Sequence, residues 1–427
     1  MIEYIYKEFE KSYHVTIDSR KVKAGSIFFA LKGENNDGNA YAANALQDGA
    51  ALAVIDNPHY MTKGCVLVEN SLNALQQLAN YHRHKINPPI FAITGSNGKT
   101  TTKELLYAVL SRKFKTYATV GNLNNHIGVP LTLLSITPDI DFAIIEMGAN
   151  HPGDISELCR IAEPDFGLIT NIGKAHLGGF GGFEGVKNTK GELYNFLALR
   201  DRAIFYNPQN PILVELLNKY KATNVIPYSK YFENFIVEER SENPFLSVSI
   251  SEGGKLTTIL TNLVGQYNVE NVMAAYAVGR HFGVGPDTIK DAIESYIPSN
   301  NRSQLLKTKN NTVIMDAYNA NPTSMENALK NLAKLHASKK VAILGEMLEL
   351  GEYSPDEHKK IVELASALNF DKILLVGKGF SSFNGMFYYF DNSSECAEYL
   401  KQNPIKDSMV LVKGSRGVKL EQVINAL

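Results

Sequence analysis

The stretch FAITGSNGKTTTKELL, residues 91–106, decides how the centre of this chain folds. It has the pattern of a short apolar strand, a turn of small residues and a helix that begins at Lys99. Backbone N–H groups of such a turn converge on an anion, and the helix adds its unpaired N-terminal donors and the positive end of its dipole. We therefore expect a phosphate loop made of these residues: Gly95, Ser96, Asn97, Gly98, Lys99, Thr100 and Thr101.

Two side chains of the phosphate loop favour a nucleotide over a simple anion. Lys99 can reach terminal phosphate oxygens, and the Thr100 hydroxyl is placed to bind Mg²⁺. The full pattern G-x-x-x-x-G-K-[ST] has a glycine where this chain has Ile93, so only the shorter G-x-x-G-K-T is present. An ordinary strand–turn–helix corner that carries a lysine is the alternative interpretation.

Length and composition are those of a globular protein. At ~150 residues per domain, 427 residues predict about three domains. Lysine and arginine number 43 against 44 acidic residues, so nothing favours a nucleic-acid surface. The three cysteines are far apart and are expected to be reduced thiols of a cytoplasmic chain. We find neither a signal peptide nor an apolar run of the ~18 residues that membrane insertion needs.

The order of strand and helix patterns predicts an α/β protein with three domains. Residues 1–86, the N-terminal segment, mix short strands with helices near 39–48 and 71–86 and predict a small mixed α/β domain. The motif INPP then favours a linker. Residues 87–298, the central segment, alternate strand and helix patterns, which predicts a parallel P-loop sheet with helices on both faces. FLSVSI and LTTIL around SEGG predict a hairpin.

A polar break, IPSNNRSQ at 297–304, separates the last part of the chain. Residues 299–427, the C-terminal segment, alternate again and predict a Rossmann-like α/β domain. Two α/β domains joined by a polar hinge make a cleft, and its closure over a phosphoryl-transfer site would exclude water.

Several strand ends outside the phosphate loop carry polar side chains. Glu146 ends a buried strand at the height expected for a Mg²⁺ ligand, with a solvated carboxylate as the alternative. His176 lies in a glycine-rich loop, where a structural role is the alternative. Lys187 and Lys190 lie near the start of a predicted helix. A lysine there could contact phosphate, or it could be carbamylated if it is held unprotonated near a metal. The alternative is that both lie on a solvated helix face.

Asparagines and charged residues further along the chain suggest contacts to the rest of a nucleotide. Asn268 and Asn271 have an i, i+3 spacing that suits the edge of an adenine, or they cap a helix after Gly265. Asp316 at a strand end suits a ribose hydroxyl. Turn chemistry alone explains Asn319 and Asn321. Three residues after the last strand suit a carboxylate or a phosphate: Lys413, Ser415 and Arg416.

In their order along the chain, these motifs resemble those of the Mur ligase family, the ATP-dependent amide ligases of peptidoglycan assembly. The resemblance runs from about residue 15 to the C-terminus. It rests on TGSNGKTT, GNLNNHIGVPLTLL, EMGANHPGDI, TNIGKAH, KGELY, NVENVMAA, NNR, DAYNANPTSM, LGEMLELGEYSPDEH and KGSRG. Two positions depart from the family pattern: Tyr267 stands where many members have His, and His126 where an acidic residue is expected.

The resemblance implies roles for the phosphate-side residues. Lys99 would stabilise charge on the transferred group, and Asn268 and Asn271 would approach the adenine of ATP. Arg302 and Asp316 would reach the phosphates and ribose when the domains close. The implied catalytic set is Lys99, Lys190 and His176, and the implied ligands of two Mg²⁺ ions are Thr100, Glu146, His176 and a carbamylated Lys190.

The resemblance also implies the reaction and its partners. A UDP-N-acetylmuramoyl-tripeptide would be activated as an acyl phosphate and joined to D-alanyl-D-alanine by a monomeric enzyme, with the UDP end held by the N-terminal segment. The rival interpretations are a folate-polyglutamylating ligase of the same fold and a P-loop ATPase or nucleotide switch. The implied substrate contacts are Ser19, Arg20, Lys32, Asn122, Asn125, Asn319, Asn321, Lys413, Ser415 and Arg416.

Overall fold

The computed structural model describes residues 1–238, 243–299 and 301–427. Its strands form four sheets, of four, six, three and six strands. The polar break expected at 297–304 includes residue 300, which lies outside the described residues. Among the helices that are described, none combines the length and the apolar character needed to cross a membrane. The sheets are mainly parallel, and helices alternate with their strands, so the predicted α/β class is confirmed.

A four-stranded parallel sheet organises the N-terminal segment. Its elements are α1 (Ile2–Phe9), β1 (Val15–Thr16), β2 (Ile27–Phe29), α2 (Ala42–Gln47), β3 (Leu52–Ile55), β4 (Cys65–Leu67) and α3 (Ser71–Ile86). The strand order is β1-β2-β3-β4. Helix α3 has the predicted bounds because the Asn70 side chain caps its start and Asn87, with a φ of 47°, ends it ahead of two prolines.

A six-stranded parallel sheet forms the centre of the molecule. Its elements are β5 (Ile90–Thr94), α4 (Lys99–Leu110), β6 (Thr116–Ala118), α5 (Gly128–Leu134), β7 (Phe142–Glu146), α6 (Asp154–Ala162), β8 (Phe166–Ile169), α7 (Leu177–Phe180), α8 (Phe183–Ala198), β9 (Ala203–Tyr206), α9 (Pro211–Lys219) and β10 (Val225–Pro227). The strand order is β10-β9-β8-β5-β7-β6, and all neighbours are parallel. Strand β5, which leads into the phosphate loop, therefore lies inside the sheet.

A three-stranded antiparallel sheet and two helices complete the central segment. They are β11 (Asn234–Glu238), β12 (Phe245–Glu252), β13 (Lys255–Val264), α10 (Val269–His281) and α11 (Pro286–Ser295). The hairpin predicted around SEGG is confirmed, and its turn uses Gly253 and Gly254 at φ values of 58° and 76°. The sequence pattern does not predict β11.

Both faces of the central sheet are covered, as the sequence predicts. Successive residues of β5 point to opposite faces, so Phe91 and Ile93 join a core with α4 and α10, while Ile90 and Ala92 join a core with α5, α6 and α8. A strand that is apolar on both faces is typical of a parallel sheet between two helical layers.

A second six-stranded sheet forms the C-terminal segment. Its elements are β14 (Gln304–Lys307), β15 (Asn311–Asp316), α12 (Pro322–Lys334), β16 (Lys340–Gly345), α13 (Ser354–Ala367), β17 (Lys372–Val376), β18 (Tyr388–Phe390), α14 (Ser393–Gln402) and β19 (Ser408–Lys413). The strand order is β14-β15-β19-β16-β17-β18, with β14 as an antiparallel edge. Strands β15 and β19 are neighbours, so their last residues, Asp316 and Lys413, lie side by side.

Candidate active site

A cavity of about 1050 Å³ lies between the central and C-terminal segments. Both segments contribute the carboxyl ends of their parallel strands to it, as expected for α/β sheets. Of the predicted site residues, the cavity is lined by Ser96, Asn97, Gly98, Lys99, Thr100, Thr101, Asn122, Asn125, Glu146, His176, Asn268, Asn271, Arg302, Asp316, Asn319 and Lys413.

The phosphate loop fits so closely against its neighbours that two glycines are required. Gly95 and Gly98 have φ values of 142° and 81°. A Cβ on Gly95 would lie 2.0 Å from Thr170 Oγ1, and one on Gly98 would lie 2.5 Å from Asn271 Oδ1. The loop is also held by the segment that follows β8, because the Asn97 N–H donates to the Asn171 side chain at 3.0 Å. This is a fixed strand–turn–helix connection at the start of α4, the geometry that binds phosphates.

The Lys99 ammonium is directed back across the phosphate loop. Its Nζ donates to the carbonyl oxygens of Gly95 at 2.6 Å and Ser96 at 3.3 Å. Burial lowers the pKa of Lys99, while the negative charges of Glu146 and Glu349 act against that shift. A cation held in this position faces the same space as the loop amides, which suits it to terminal phosphate oxygens.

Glu146, at the end of β7, is 2% exposed, so the alternative of a solvated carboxylate is wrong. Thr100 Oγ1 donates to its Oε2 at 2.9 Å, and Asn124 Nδ2 donates to its Oε1 at 2.8 Å. The buried ammonium of Lys103 lies 3.7 Å from Oε2. The carboxylate is therefore fixed beside the first turn of α4, and the Lys103 ammonium partly balances its negative charge.

The donor set around Glu146 fits Mg²⁺. Carboxylate and hydroxyl oxygens are the hard ligands this ion prefers, and it keeps several water or phosphate oxygens in its coordination shell. Glu146 and Thr100 supply two such oxygens at the edge of the cavity. Among the described residues there is no group of three or more His, Cys, Asp or Glu side chains arranged to hold a metal.

His176 comes from the loop that follows β8. It precedes α7 in the left-handed conformation, with a φ of 51°. Its Nδ1 atom lies 2.7 Å from Oε2 of Glu349, a residue of the C-terminal segment. The ring therefore lies where the central and C-terminal segments meet at the cavity.

Lys190 is buried within α8 and is 1% exposed, so the alternative of a solvated helix face is wrong. Its Nζ lies 3.4 Å from the carbonyl oxygen of Ala149, a residue that lines the cavity, and 5.3 Å from the centre of the Phe180 ring. Burial, and next the charge of Lys99, lower its pKa well below the ordinary value of 10.5. Lys187 is also buried and pairs with Glu215 at 2.6 Å.

Asn268 and Asn271 lie together at the start of α10. Asn271 Nδ2 donates to Asn268 Oδ1 at 2.8 Å, and Asn268 Nδ2 donates to the Val264 carbonyl at 2.8 Å. Asn268 precedes the helix but makes no side-chain cap, so the capping alternative is wrong for this residue. Both side chains line the cavity on the side of the phosphate loop where Gly98 packs against Asn271.

The C-terminal segment brings a charged pair to the opposite wall. Lys413 Nζ lies 2.6 Å from Asp316 Oδ2 and 3.3 Å from the Asn319 carbonyl. The Arg302 guanidinium stacks on the Tyr318 ring, 3.6 Å from its centre, and Arg416 approaches the same ring at 5.4 Å. Arg302, Asp316 and Lys413 line the cavity, whereas Arg416 lies outside its lining.

Asn321 and Ser415 lie just outside the lining of this cavity. Asn321 caps α12 through Ser324, as turn chemistry predicts, and its Nδ2 also donates to Asn97 Oδ1 at 2.8 Å. The buried hydroxyl of Ser415 accepts a hydrogen bond from the Leu348 N–H at 3.0 Å, so it supports a backbone turn.

The N-terminal candidates lie apart from this cavity. Arg20 is exposed and pairs with Asp18, whose pKa its guanidinium lowers to about 2. Ser19 is half-buried in the same 3₁₀ turn, and Lys32 is exposed at an isolated bridge to Asp37. None of the three lines the cavity described above.

The two positions that depart from the family pattern both line the cavity. Tyr267 donates or accepts a hydrogen bond with Ser303 at 2.8 Å, and burial raises its pKa. His126 is exposed beside Asn125, whose Oδ1 accepts a hydrogen bond from the Gly128 N–H at 2.8 Å.

Sequence reasoning missed several residues of the site. Asn124, between the two predicted asparagines, is the one that contacts Glu146. Lys103 lies one helical turn beyond Lys99, a spacing that predicts a shared face of α4 and could have identified it. Glu349 reaches the cavity from the C-terminal segment, and no local pattern places it there.

Comparison with known proteins gives matches along most of the chain. The Mur ligase family catalytic domain matches residues 11–87, the Mur ligase middle domain residues 93–279, and the Mur ligase glutamate ligase domain residues 301–416. The UDP-N-acetylmuramoyl-tripeptide--D-alanyl-D-alanine ligase of Bacillus subtilis (strain 168) is 33% identical over 428 residues, 97% of this chain and 92% of that protein.

Solved structures give a similar result. The crystal structure of MurF from Acinetobacter baumannii has a TM-score of 0.87 and 30% identity, and the match covers 96% of this chain and 92% of that one. MurF ligase from Thermotoga maritima, solved in complex with ADP, has a TM-score of 0.86 and 26% identity, over 97% of this chain and 96% of that one.

Proposed function

The chain belongs to the Mur ligase family, and from this premise we propose that it is an ATP-dependent ligase that joins D-alanyl-D-alanine to UDP-N-acetylmuramoyl-tripeptide. The products are the UDP-linked pentapeptide, ADP and phosphate. The observation that carries the proposal is the meeting of the phosphate loop with the C-terminal segment at a cavity that both segments line, beside which Asn321 Nδ2 donates to Asn97 Oδ1 at 2.8 Å.

The reaction has two steps. A carboxylate oxygen of the tripeptide attacks the terminal phosphorus of ATP, which forms an acyl phosphate and releases ADP. The amine of D-alanyl-D-alanine then attacks the acyl carbon, so that a C–N bond forms, the C–O bond to phosphate breaks, and the amine loses a proton. Activation is needed because an amine and a free carboxylate form a salt rather than an amide.

The phosphate loop and Lys99 supply most of the catalysis. Backbone N–H groups between Gly95 and Lys99 hold the phosphates in place, and Lys99 moves its ammonium from the loop carbonyls to the oxygens of the transferred group. Arg302, stacked on Tyr318, reaches the same space from the other wall. Positioning and charge neutralisation of this kind account for most of phosphoryl-transfer catalysis.

The donor set supports Mg²⁺ as a cofactor. Thr100 and Glu146 would hold one ion, and Glu146 with His176 would contribute to a second. When bound, Mg²⁺ would neutralise charge on the phosphate oxygens. Asn124 and Lys103 keep the Glu146 carboxylate aimed at this position.

Lys190 is suited to become a carbamate. Burial favours its neutral amine, which is the form that reacts with CO₂. The product would be an anionic oxygen ligand beside Ala149, at the wall of the cavity. Such an anion would favour binding of a second Mg²⁺ ion.

We assign the remaining nucleotide and substrate contacts by the segment in which each residue lies. Asn268 and Asn271 contact the adenine, and Asp316 contacts the ribose. Ser19, Arg20 and Lys32 bind the UDP end through the N-terminal segment, residues 1–86. Asn122, Asn125, Asn319, Asn321, Lys413, Ser415 and Arg416 contact or support the peptide substrates. A monomer in the cytoplasm is the form we expect.

The test is an ADP-release assay in which each substrate is omitted in turn. We expect ADP release with ATP, the UDP-tripeptide and D-alanyl-D-alanine together, and mass spectrometry should identify the UDP-pentapeptide. ADP release with ATP alone would favour an ATPase or nucleotide switch. Release with a folate and glutamate would favour a folate-polyglutamylating ligase.

A further inference from the structure

The loop that carries His176 packs tightly against a turn of the C-terminal segment. The Gly178 N–H donates to the Glu349 carbonyl at 3.3 Å. A Cβ on Gly178 would lie 3.0 Å from the Gly351 nitrogen, so the two backbones pack closely against each other. Glu349 and Gly351 both have left-handed backbones, with φ values of 69° and 56°. For glutamate this conformation is uncommon and is found where surrounding structure imposes it.

The Glu349 side chain is directed by this turn into the cavity beside His176. Its Oε2 lies 2.7 Å from His176 Nδ1, and the two side chains are 49% and 18% exposed. The nitrogen has no other partner among the described residues. An unprotonated Nδ1 would place its lone pair against a carboxylate oxygen at this distance. The contact therefore favours a proton on Nδ1 and leaves Nε2 free to accept.

We propose that Glu349 is a positioning residue that acts through His176: it fixes the tautomer and the orientation of the ring, and it does so only while the C-terminal segment is docked. This rests on the proposed function, in which His176 works beside the phosphate loop. A carboxylate at one ring nitrogen commonly orients a functional histidine in this way. The C-terminal segment thus supplies a group that completes the machinery of the central segment.

Docking itself does not depend on this carboxylate. Lys174 Nζ pairs with Glu357 at 2.9 Å, and the Lys174 N–H donates to Thr323 Oγ1 at 3.0 Å. The Gly178–Glu349 contact described above involves only backbone atoms of Glu349. Glu349→Gln should therefore leave the two segments packed and remove only the charge next to His176.

The first experiment measures steady-state kinetics of Glu349→Gln. We expect kcat to fall about tenfold, with KM for the UDP-tripeptide within about twofold of wild type. Glu352→Gln is the control, because Glu352 is an exposed glutamate of the same turn, and it should match wild type. Glu349→Asp, which keeps the charge, should recover part of the loss. An unchanged kcat in Glu349→Gln would overturn the proposal.

A double variant shows whether the effect passes through the ring. If it does, adding Glu349→Gln to His176→Asn should cost less than about twofold beyond His176→Asn alone. Multiplication of the two single losses would mean that Glu349 acts independently of His176, and would overturn the proposal.

A spectroscopic measurement separates this inference from the proposed function. In nucleotide-free protein labelled with ¹⁵N-histidine, at about pH 8, we expect His176 to have its proton on Nδ1 in wild type and to lose that preference in Glu349→Gln. The same tautomer in both proteins would overturn the inference. If instead the wild-type protein formed no pentapeptide, the proposed function would fail. The tautomer of His176 would still test the role of Glu349, because its measurement needs no turnover.

Discussion

Lys103 and Glu146 form a buried ion pair behind the phosphate loop, with Nζ 3.7 Å from Oε2 and side chains that are 5% and 2% exposed. Lys103 also donates to the Thr119 carbonyl at 2.7 Å, so its ammonium is held on the side away from the cavity. Glu146 lines the cavity, and its carboxylate also accepts hydrogen bonds from Thr100 and Asn124. The Lys103 ammonium therefore offsets the free-energy cost of burying the Glu146 carboxylate when no metal is bound.

Removal of this cation should destabilise the protein strongly. We expect Lys103→Met to lower the free energy of unfolding by about 3 kcal/mol, because it leaves the Glu146 carboxylate buried without its charge partner. Denaturant unfolding measures this change. Lys11→Met is the matched control, since Lys11 and Glu8 form an exposed pair at 2.7 Å that should contribute less than about 1 kcal/mol.

The double variant Lys103→Met/Glu146→Gln tests the same pair from both sides. It should recover much of the lost stability, because no buried charge is left unpaired, while ligase activity stays low. If Lys103→Met alone were as stable as wild type, the pair would not perform the role described.

The phosphate loop requires glycine at position 98 for a reason that can be tested. Gly98→Ala combines a left-handed φ of 81° with a Cβ 2.5 Å from Asn271 Oδ1. Gly153→Ala is the control, since Gly153 has a φ of 92° with open space around it. Both should lose about 1 kcal/mol of stability from the backbone.

Only Gly98→Ala should weaken nucleotide binding, because only there does the new methyl group displace a cavity residue. Calorimetric titration with ADP and Mg²⁺ checks this, and we expect at least a tenfold loss for Gly98→Ala. Equal affinities in the two variants would contradict a role of the close Gly98–Asn271 packing in shaping the site.

The phosphate loop could be predicted from sequence because its chemistry is local. Gly95, Gly98 and Lys99 are neighbours in the chain, and their positions follow from one strand, one turn and one helix. The same holds for the alternating layers of both large sheets, which apolar strands and capped helices determine. The resemblance to the Mur ligase family, drawn from the order of motifs, is confirmed by the comparisons.

Residues whose role depends on distant packing could not be predicted in this way. Lys190 looks like a solvated lysine in its helix, and only the packing of α8 against the cavity wall shows that it is buried. Glu349 and His176 are far apart in sequence and meet only because two segments dock. Asn124 could not be distinguished from its neighbouring asparagines, because the direction of a loop side chain has no sequence period.

Lys99→Ala should abolish ligase activity without unfolding the protein. The ammonium faces the phosphate oxygens in the proposed reaction, and loss of a positioned charge of this kind costs at least about 100-fold in kcat. Phosphate release in the presence of all three substrates measures the loss, and a thermal melt shows that the fold is retained. Near-normal turnover would rule out the phosphate role of Lys99.

Lys190 should make stability depend on pH in a defined direction. Its native pKa lies well below 10.5, so in the window between that lowered pKa and 10.5 the unfolded chain binds a proton that the native protein lacks. Stability therefore rises with pH across this window, by up to about 1.4 kcal/mol per pH unit. Urea unfolding at several pH values below 10.5, in buffer depleted of CO₂, should show this slope in wild type.

Lys190→Met should remove the part of the pH dependence of stability that is due to Lys190. The variant should be more stable than wild type at the lower end of the pH window, and it should have little ligase activity. Lys187→Met is the matched control on the same helix; its ammonium pairs with Glu215 at 2.6 Å, and the slope due to Lys190 should persist. The difference between each variant and wild type cancels the titration of all other groups. A slope in Lys190→Met equal to that of wild type would show that Lys190 is protonated in the native protein, and a lysine in that form could not react with CO₂.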